Sequence, residues 1–533
     1  MKRNISVEMN TSGHLPDITY DYVQDKKLKK FYGRSFTIEN FENQIFDKRD
    51  FSEKKRKILV EVLKDQNKNY QHLNAYNDID LLLKKNSYTV TTGHQLSLFT
   101  GPLFFIYKII HVIKICVQLK DNYSNYNFIP IFWMASEDHD FEEIRGFNLY
   151  EKTFLYDYNH KNVCTGKIKT SQMSPMYEEL KTFFKGKPNE KALLDLFNKS
   201  YIKEKNLSSA TRSLVYQLFK DYNIIVLDPD DHRLKINFKE IALDELKNFS
   251  SHKIVNNTIK KIKNSLNKKI KIQVNPRILN LFYITKSERY RIEYREGEYV
   301  LIGNNKTFKK DEFIKHIESN PNCISPNVIL RPLYQESILP NLAYVGGGSE
   351  ISYWLELNDL FNYYSLPFPI LTVRKSLLLI SKRDFDKIDY LNLKIQDFFL
   401  KKDQIVKKFI KSNDDYNFSL KNISDSNSKN IIQLKNKLSV IDNSLVPAFE
   451  ALLTRHKKDY NSLEKKVIKT IKLKNIQKLK SIDKIYEKIY PNGISQERFL
   501  NFSHFYSIHG QEFIDFIFNA FEPFDSRFQV CEI

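Results

Sequence analysis

Cysteine and glycine are scarce in this chain of 533 residues, with 4 and 14 copies, and long apolar runs are missing. The cysteines lie far apart and form no CxxC pair, which excludes an obvious zinc or disulfide-exchange motif and suits a reducing cytoplasm. No stretch reaches the roughly 20 apolar residues that a membrane span requires. No apolar run follows the basic residues near the start, so secretory export is not expected. We therefore expect a soluble cytoplasmic protein with no membrane partner.

The chain has a formal net charge of +20, which raises the hypothesis of a nucleic-acid partner. Its basic residues are mainly lysines, spread through a sequence that is also rich in Asn and Ile. They do not collect into the aromatic-interleaved patch that nucleic-acid binding favours. We expect no nucleic-acid partner, although a phosphate-bearing substrate such as ATP would still be attracted to local basic sites. A non-catalytic nucleic-acid-binding coiled-coil protein remains an alternative, against which the acidic segment 137–143 argues.

Residues 1–376 alternate short apolar runs with helical stretches, a pattern that predicts an α/β core. A helix is predicted over 103–119, with Lys108 and Lys114 on its solvent side. The run 128–134 is too apolar for a half-exposed strand and indicates a buried parallel one. The other strands are predicted at 88–92, 224–227 and 368–373. Two longer pieces are predicted insertions, about 146–210 (mostly helical) and about 249–326 (mixed, with a hairpin at 289–300).

Residues 377–490 change character, because apolar residues recur there at heptad spacing. The spacing runs from Ile388 to Phe409 and resumes at Ile431 after a polar link. It predicts two long helices that form an antiparallel coiled coil, with Pro447 kinking or restarting the second helix. The aromatic segment 491–533 is expected to pack back on the core.

Ligands in open α/β sheets bind at the carboxyl ends of strands, so polar residues there are the first candidates. Thr92, Gly93, His94 and Gln95 follow the first predicted strand, and Gly101 comes shortly after. Glycine lets a backbone approach a ligand closely, and the amides at the start of the next helix attract anions. His94 would donate to a phosphate or carboxylate, whereas Lys108 is expected to lie too far along the helix. An ordinary tight turn is the alternative, since the pattern is neither Walker A nor GxGxxG.

Ser136, Glu137, Asp138 and His139 follow the most apolar strand. Placing acids and a histidine at a buried strand end is costly unless they cap a helix, bind a ligand or transfer protons. Ser136 and Asp138 would serve as helix N-caps, but capping does not require His139. The spacing matches no standard metal site, so no protein-bound metal is expected.

A third segment carries Arg331 and Gln335, followed by Gly346, Gly347 and then Glu350 at the predicted start of a helix. Consecutive glycines with a helix behind them favour an amide-lined pocket. The guanidinium of Arg331 suits bidentate binding of a carboxylate or phosphate. A flexible loop with a surface arginine is the alternative.

Arg374 and Lys375 follow the last predicted strand. Cations at that end of a sheet are expected to face the phosphates of a nucleotide, or else to cap a helix in solvent.

These segments resemble the motifs of the bacillithiol biosynthesis cysteine-adding enzymes, the BshC family. The matching blocks keep their order and spacing from about Thr91 onward. They include TGHQ at 92–95, TGPL at 100–103, PIFWMASEDHDF at 130–141, SPNV at 325–328, RPLYQE at 331–336 and LPNLAYVGG at 339–347.

The resemblance implies a Rossmann-like core related to class I aminoacyl-tRNA synthetases and a homodimer formed through the coiled coil. It also implies a ligase that joins the carboxyl of L-cysteine to the amine of glucosaminyl malate. ATP, accompanied by Mg²⁺, is the expected activating substrate. A nucleotidyltransferase or amino-acid ligase of the same fold with another substrate is the alternative.

With that activity, the catalytic candidates are His94, Glu137, Asp138 and His139. The substrate-binding candidates are Thr92, Gly93, Gln95, Ser136, Arg331, Gln335, Gly346, Gly347 and Glu350. The phosphate-binding candidates are Gly101, Arg374 and Lys375.

Overall fold

The computed structural model describes residues 3–8, 15–24, 26–158, 162–266, 271–304, 306–412 and 433–533. The chain divides into two compact units. The core unit comprises Asn4–Leu378 and Gln496–Val530, and the arm unit comprises Met1–Arg3, Leu379–Ser495 and Cys531–Ile533.

The regular elements are mostly helices. The strands, numbered β1 to β15 in chain order, span Asn4–Val7, Ser87–His94, Asn127–Met134, Gly146–Asn148, Thr153–Leu155, Ile225–Leu227, Leu281–Ile284, Arg289–Arg295, Glu298–Ile302, Lys306–Lys309, Ile324–Pro326, Asn341–Gly346, Ile370–Val373, Leu377–Ile380 and Phe528–Glu532. The α-helices of the described residues include Asp17–Gln24, Asn40–Lys48, Glu53–Asn67, Asn74–Asp78, Phe104–Asn122, Ser174–Phe184, Glu190–Phe197, Leu207–Leu218, His232–Lys235, Lys239–Asn248, Ser250–Leu266, Lys310–Ser319, Arg331–Ile338, Gly348–Leu355, Asn358–Tyr363, Lys382–Tyr390, Lys402–Ser412, Leu445–Lys474, Ile476–Ile489, Gln496–Phe499, Ser503–His509 and Glu512–Ala520.

The centre of the core unit is a five-stranded parallel sheet in the order β13-β12-β2-β3-β6. This confirms the predicted α/β class, and β3 is buried along almost its whole length, as its apolar sequence indicated. The chain moves outward from β2 to β3 and β6, then returns to the other side of β2 as β12. This reversal of strand order leaves a crevice at the carboxyl ends of β2 and β12, where open α/β sheets bind ligands. Gly93 and His94 belong to β2 and not to the turn in which they were predicted.

Helix Phe104–Asn122 packs against β2, β3 and helix Glu512–Ala520, so its outer face is covered as well. Lys108 is only 2% exposed, and its predicted position on the solvent side is wrong. Lys114 is half-buried, with its ammonium 4.8 Å from the ring centroid of Phe518. The local spacing of apolar residues could not reveal this cover, because it comes from the distant C-terminal segment.

The two predicted insertions contain different kinds of structure. Residues 146–210 hold the β4–β5 hairpin and several helices. Residues 249–326 hold helix Ser250–Leu266 and all five strands of an antiparallel sheet in the order β10-β9-β8-β7-β11. The predicted hairpin is confirmed as β8 and β9, which are joined through Glu296 and Gly297, both at positive φ. The domain boundaries themselves remain predictions.

In the arm unit, the first of the two predicted long helices is interrupted. Helix Lys382–Tyr390 ends before Asn392, whose φ of 53° lies in the left-handed region. The amide of Leu393 then donates to the carbonyl of Ile388 at 3.2 Å, as in common helix C-caps. A 3₁₀ turn and helix Lys402–Ser412 follow. The apolar residues on both sides of this break are buried. The sequence therefore keeps its heptad spacing across the break and does not show that the helix ends there.

The second half of the arm unit contains the longest described helix, Leu445–Lys474. Pro447 lies in its first turn, where the missing N–H costs no hydrogen bond, so the predicted restart is confirmed. The predicted polar link and Ile431 fall almost wholly within residues 413–432, outside the described residues. Among the helices that the structure describes, none is long and apolar enough to cross a membrane.

A tight turn at residues 99–101 attaches the C-terminal segment of the core unit to its sheet. Phe99, Thr100 and Gly101 all have positive φ, at 48°, 69° and 60°. The buried amide Nδ2 of Asn501 donates to the carbonyls of Phe99 at 2.7 Å and Gly101 at 2.6 Å. The N–H of Gly101 donates to the carbonyl of Leu98 at 2.8 Å. Since both backbone polar groups of Gly101 are engaged within the protein, they argue against its predicted role as a phosphate ligand.

We expect Asn501→Ala to destabilise the core unit by about 2–3 kcal/mol, because it leaves two buried carbonyls without their donor. Urea unfolding followed by tryptophan fluorescence measures this directly, since both tryptophans, Trp133 and Trp354, are buried in the core unit. Asn362→Ala is the matched control, because Asn362 is exposed and should change stability by less than about 0.5 kcal/mol. Equal losses in the two variants would contradict the proposed attachment.

Candidate active site

An ion pair between the buried Lys108 and the partly buried Glu350 spans the crevice between β2 and β12. The Lys108 ammonium donates to the carbonyl of Gly93 at 2.8 Å and to Oε1 of Glu350 at 2.5 Å. The other Glu350 oxygen accepts from the Tyr344 hydroxyl at 2.6 Å, and the N–H of Gly347 donates to Oε1 at 3.2 Å. The prediction that Lys108 lies too far along its helix is wrong. Side chains on a helix lean toward its N-terminus, so the long Lys108 stem reaches back to the strand end.

Burial and charge act on this pair in opposite directions. Burial lowers the pKa of Lys108 below its ordinary value. Burial also opposes ionisation of Glu350, but the adjacent Lys108 ammonium and the hydrogen bond from Tyr344 prevail and lower its pKa. The carboxylate is therefore ionised at neutral pH, and its two oxygens fix the ends of β2 and β12 relative to each other.

The predicted glycine loop is shorter than its three glycines indicated. Gly346 ends β12, Gly347 is the N-cap, and Gly348 begins helix Gly348–Leu355. A Cβ on Gly346 would lie 3.1 Å from side-chain atoms of Glu350 and two other residues, so the close packing explains this glycine. The hydroxyl of the buried Thr92 donates to the carbonyl of Val345 at 2.8 Å and joins the two strands.

Arg331 begins helix Arg331–Ile338 and lies among aromatic rings on the same side of the sheet. Its guanidinium donates to Oε1 of Gln335 at 3.0 Å and contacts the hydroxyl of Tyr353 at 3.4 Å. The guanidinium carbon lies 5.3, 5.8 and 6.0 Å from the ring centroids of Tyr344, Trp354 and Trp133. Among the described residues, no carboxylate forms an ion pair with Arg331, so its charge is available to an anion.

The segment after β3 forms turns instead of the helix that its predicted N-caps would start. The Ser136 hydroxyl donates to Asp228, beyond the neighbouring strand β6. Glu137 is 7% exposed, and its carboxylate lies 2.6 Å from the ammonium of Lys235. Lys235 also contacts Asp230 at 2.7 Å. The capping prediction is wrong, because no helix begins here, and Ser136 and Glu137 instead contact Asp228 and Lys235, which both follow β6 in the chain.

Asp138 links the ends of β2 and β3. Its Oδ2 accepts from the side-chain amide of Gln95 at 2.7 Å, and its Oδ1 accepts from the backbone N–H of His139 at 2.8 Å. The Gln95 amide also donates to Glu143 at 2.8 Å. Burial opposes ionisation of Asp138, but Arg289 and these donors outweigh it and lower its pKa. Asp138 is therefore an ionised connector between the two strand ends.

His94 lies at the end of β2, partly buried against Phe104 and Phe105, with ring centroids 5.3 and 5.1 Å apart. Its Nδ1 is 2.9 Å from the carbonyl oxygen of Gln95. Burial, assisted by the nearby Lys108 ammonium, lowers the pKa of His94 to about 4. The imidazole is therefore neutral at physiological pH.

Arg374 and Lys375 follow β13, but their charged groups are engaged within the protein. Arg374 forms a bidentate pair with Glu497, at 2.9 and 2.8 Å. The Lys375 ammonium donates to the carbonyls of Asp525 and Arg527. Both residues are at most 3% exposed, so their burial and internal partners argue against the predicted role in phosphate binding. They attach the C-terminal segment of the core unit to the end of β13.

Sequence patterns had not singled out Arg289 and Lys235 as site residues. Arg289 belongs to a hairpin whose alternation indicated only a strand, and Lys235 lies in a short helix after the acidic run at 228–231. Both reach the β3 end through tertiary contacts that no local motif encodes. Within the described ranges, no three His, Cys, Asp or Glu side chains are grouped to hold a metal ion.

Comparison with known families covers nearly the whole chain. Residues 3–375 match the model of the bacillithiol biosynthesis BshC N-terminal Rossmann-like domain. Residues 377–533 match the model of the BshC C-terminal coiled-coil domain. The chain belongs to the BshC family. This membership confirms the Rossmann-like core and the coiled-coil component.

Members of the BshC family that resemble this chain bear the name of a proposed cysteine ligase. The protein of Flavobacterium johnsoniae is 36% identical over 99% of both chains, and that of Flavobacterium psychrophilum is 38% identical over 99% of both. The protein of Christiangramia forsetii is 37% identical over 97% of both. A crystal structure of a proposed arginyl-tRNA synthetase from Campylobacter jejuni aligns with 81% of this chain and 92% of its own, at 11% identity. Its TM-score of 0.22 is too low to support an argument.

We expect Lys108→Met to destabilise the core unit by about 3 kcal/mol, because the carboxylate of Glu350 then loses its cation. Glu350→Gln should cost less, and the double variant should lose clearly less than the sum of the single variants. Urea unfolding at pH 7, followed by tryptophan fluorescence, measures all three. Additive losses would show that the two side chains do not interact.

The same pair predicts a pH dependence. The folded pKa of Glu350 lies below its ordinary value of 4.5, so its stabilising contribution is complete above that value and is lost as pH falls through the folded pKa. The difference in unfolding free energy between wild type and Glu350→Gln should stay constant from about pH 6 to 8 and shrink below about pH 4.5. A difference that grows on acidification would contradict the lowered pKa.

Proposed function

We propose that this protein is a cysteine ligase of bacillithiol biosynthesis. It joins the carboxyl of L-cysteine to the amine of glucosaminyl malate, with ATP as the activating substrate. The names of its BshC relatives support the reaction. The observation in the chain itself that carries the proposal is Arg331, a partly buried guanidinium beside the crevice that has no carboxylate among its hydrogen-bond partners.

Arg331 is held in place before any substrate arrives. Its hydrogen-bond partner Gln335 is a neutral amide, which accepts from Arg331 and donates to Oε1 of Glu336 at 3.0 Å. Glu336 is fixed in turn by the buried ammonium of Lys48 at 2.6 Å. A guanidinium presents a planar fork of donors that matches a carboxylate, and malate carries two carboxylates. Arg331 is therefore the residue that we assign to the malate portion of the substrate.

The reaction requires an activated acyl group, because a free carboxylate does not acylate an amine at neutral pH. Transfer of an adenylyl or phosphoryl group from ATP to the cysteine carboxylate would supply the leaving group. His94 and His139, at the ends of adjacent strands, are the candidates to contact the reacting groups, and Asp138 connects their segments. Since the described residues hold no cluster of metal ligands, Mg²⁺ would enter with the phosphates of ATP.

A cytoplasmic location and a homodimer formed through the arm unit belong to the same proposal. The homodimer rests on the family resemblance, and the location rests on the few, widely spaced cysteines of the sequence.

Purified protein supplied with ATP, L-cysteine and glucosaminyl malate should form the amide product, detected by thiol-specific mass spectrometry. Arg331→Met should raise KM for glucosaminyl malate about 10- to 100-fold, since a hydrogen bond to a charged group contributes about 1.5–3 kcal/mol. Arg331→Lys should fall between that variant and wild type, because lysine keeps the charge but loses the fork. Arg383→Met, at an exposed arginine of the arm unit, is the control and should leave KM unchanged.

The same assay separates the alternatives. Product formed only with another amino acid would indicate a related ligase, and no product with any amino acid would overturn the proposal. Release of AMP indicates an acyl-adenylate, whereas release of ADP indicates an acyl-phosphate. An unchanged KM in Arg331→Met would remove Arg331 from the malate site while leaving the reaction itself intact.

A further inference from the structure

Arg289 lies on β8 of the inserted antiparallel sheet and reaches the segment after β3. Its Nη1 lies 3.4 Å from Nδ1 of His139 and 3.4 Å from Oδ1 of Asp138, and its Nη2 donates to the carbonyl of Pro326 at 2.7 Å. The guanidinium stacks on the ring of Phe282, 3.9 Å from the centroid, and is 8% exposed. Contacts on three separate segments therefore fix its position.

The contact with Arg289 determines which nitrogen of His139 carries the proton. A guanidinium can only donate, so Nδ1 of His139 must accept and the proton of the neutral ring lies on Nε2. Oδ1 of Asp138 is also near this nitrogen, at 3.7 Å, and would favour the opposite tautomer. That oxygen is the more distant partner, and it already accepts from the His139 backbone N–H at 2.8 Å.

The charges around His139 also favour the neutral ring. Burial and the Arg289 guanidinium lower its pKa and outweigh Asp138 and Asp140, which raise it, while Arg277 adds a smaller lowering effect.

His94 is fixed in the opposite tautomer. Its Nδ1 lies 2.9 Å from the backbone carbonyl of Gln95, and because a carbonyl can only accept, the proton is on Nδ1. Its Nε2 therefore presents a lone pair. The side-chain amide of Gln95 donates to Asp138, which contacts Arg289, so Gln95, Asp138 and Arg289 together link the two histidines.

We propose that Arg289 is a positioning residue that holds His139 with its proton on Nε2, so that His139 donates a hydrogen bond in the ligase site while His94 accepts one. This inference rests on the proposed function and extends it to two substrate groups. We assign the hydrogen bond from Nε2 of His139 to the carboxyl oxygen of cysteine, where negative charge grows as the amine attacks. Nε2 of His94 would accept a hydrogen bond from an N–H of the attacking amine. No group of the protein changes its covalent bonds in this proposal.

The tautomers can be measured without any turnover. In full-length protein labelled with ¹⁵N-histidine, long-range ¹H–¹⁵N correlation spectra distinguish a proton on Nδ1 from one on Nε2. His139→Gln and His94→Gln assign the two signals. Wild type should show His139 protonated on Nε2 and His94 on Nδ1 at about pH 7. In Arg289→Met, Nδ1 of His139 faces only the Asp138 carboxylate, so it should become protonated, whereas His94 should not change.

Arg289→Lys keeps one charged donor and should largely restore the wild-type tautomer. Arg291→Met is the matched control, since Arg291 lies on the same strand and pairs with Glu293 at 2.5 Å. Tryptophan fluorescence verifies that each variant is folded. In the ligase assay, Arg289→Met should lower kcat at least about tenfold with little change in KM, and Arg289→Lys should recover much of this loss.

An unchanged His139 tautomer in folded Arg289→Met would overturn the positioning role, whatever the activity. A changed tautomer with an unchanged kcat would overturn the assignment of His139 as the donor. If wild type has no ligase activity, the proposed function fails, and the NMR result alone decides whether Arg289 positions His139.

Discussion

The ion pair of Lys108 and Glu350 holds together the part of the core on which the candidate site depends. It joins the carboxyl end of β2, through the carbonyl of Gly93, to the start of the helix after β12. These are the two strands between which the order of the sheet reverses. Without the pair, a buried ammonium and a carboxylate would each require another partner at the edge of the crevice. This contact therefore fixes the two sides of the crevice relative to each other.

Around this pair, most charged groups at the strand ends already have protein partners. Glu137 lies against Lys235, Arg374 against Glu497, and Asp138 connects Gln95 to Arg289. What remains for a substrate is a guanidinium without a carboxylate and two neutral histidines that differ in which nitrogen carries the proton. A site of this kind favours an anionic substrate and hydrogen bonding to a reacting acyl group, as a ligase requires.

The sequence predicted four of the five strands of the parallel sheet, because a buried parallel strand is apolar throughout and ends at polar turns, but it did not predict β12 as a strand. His94 and His139 lie at the ends of β2 and β3 that the sequence singled out, whereas Arg331 begins a helix that precedes β12. The sequence failed where a distant segment decides the environment. The cover over the outer face of helix Phe104–Asn122 and the partner of Arg374 come from residues beyond 495, and no local periodicity reports them.

The central claim is that this protein adds cysteine in the formation of bacillithiol. Thiol-specific mass spectrometry of wild-type cells and of cells lacking the gene tests it most directly. Loss of bacillithiol with accumulation of glucosaminyl malate, both reversed by the wild-type gene and not by Arg331→Met, is the predicted result. Unchanged bacillithiol in cells that make this thiol and carry no second copy of the gene would contradict the claim.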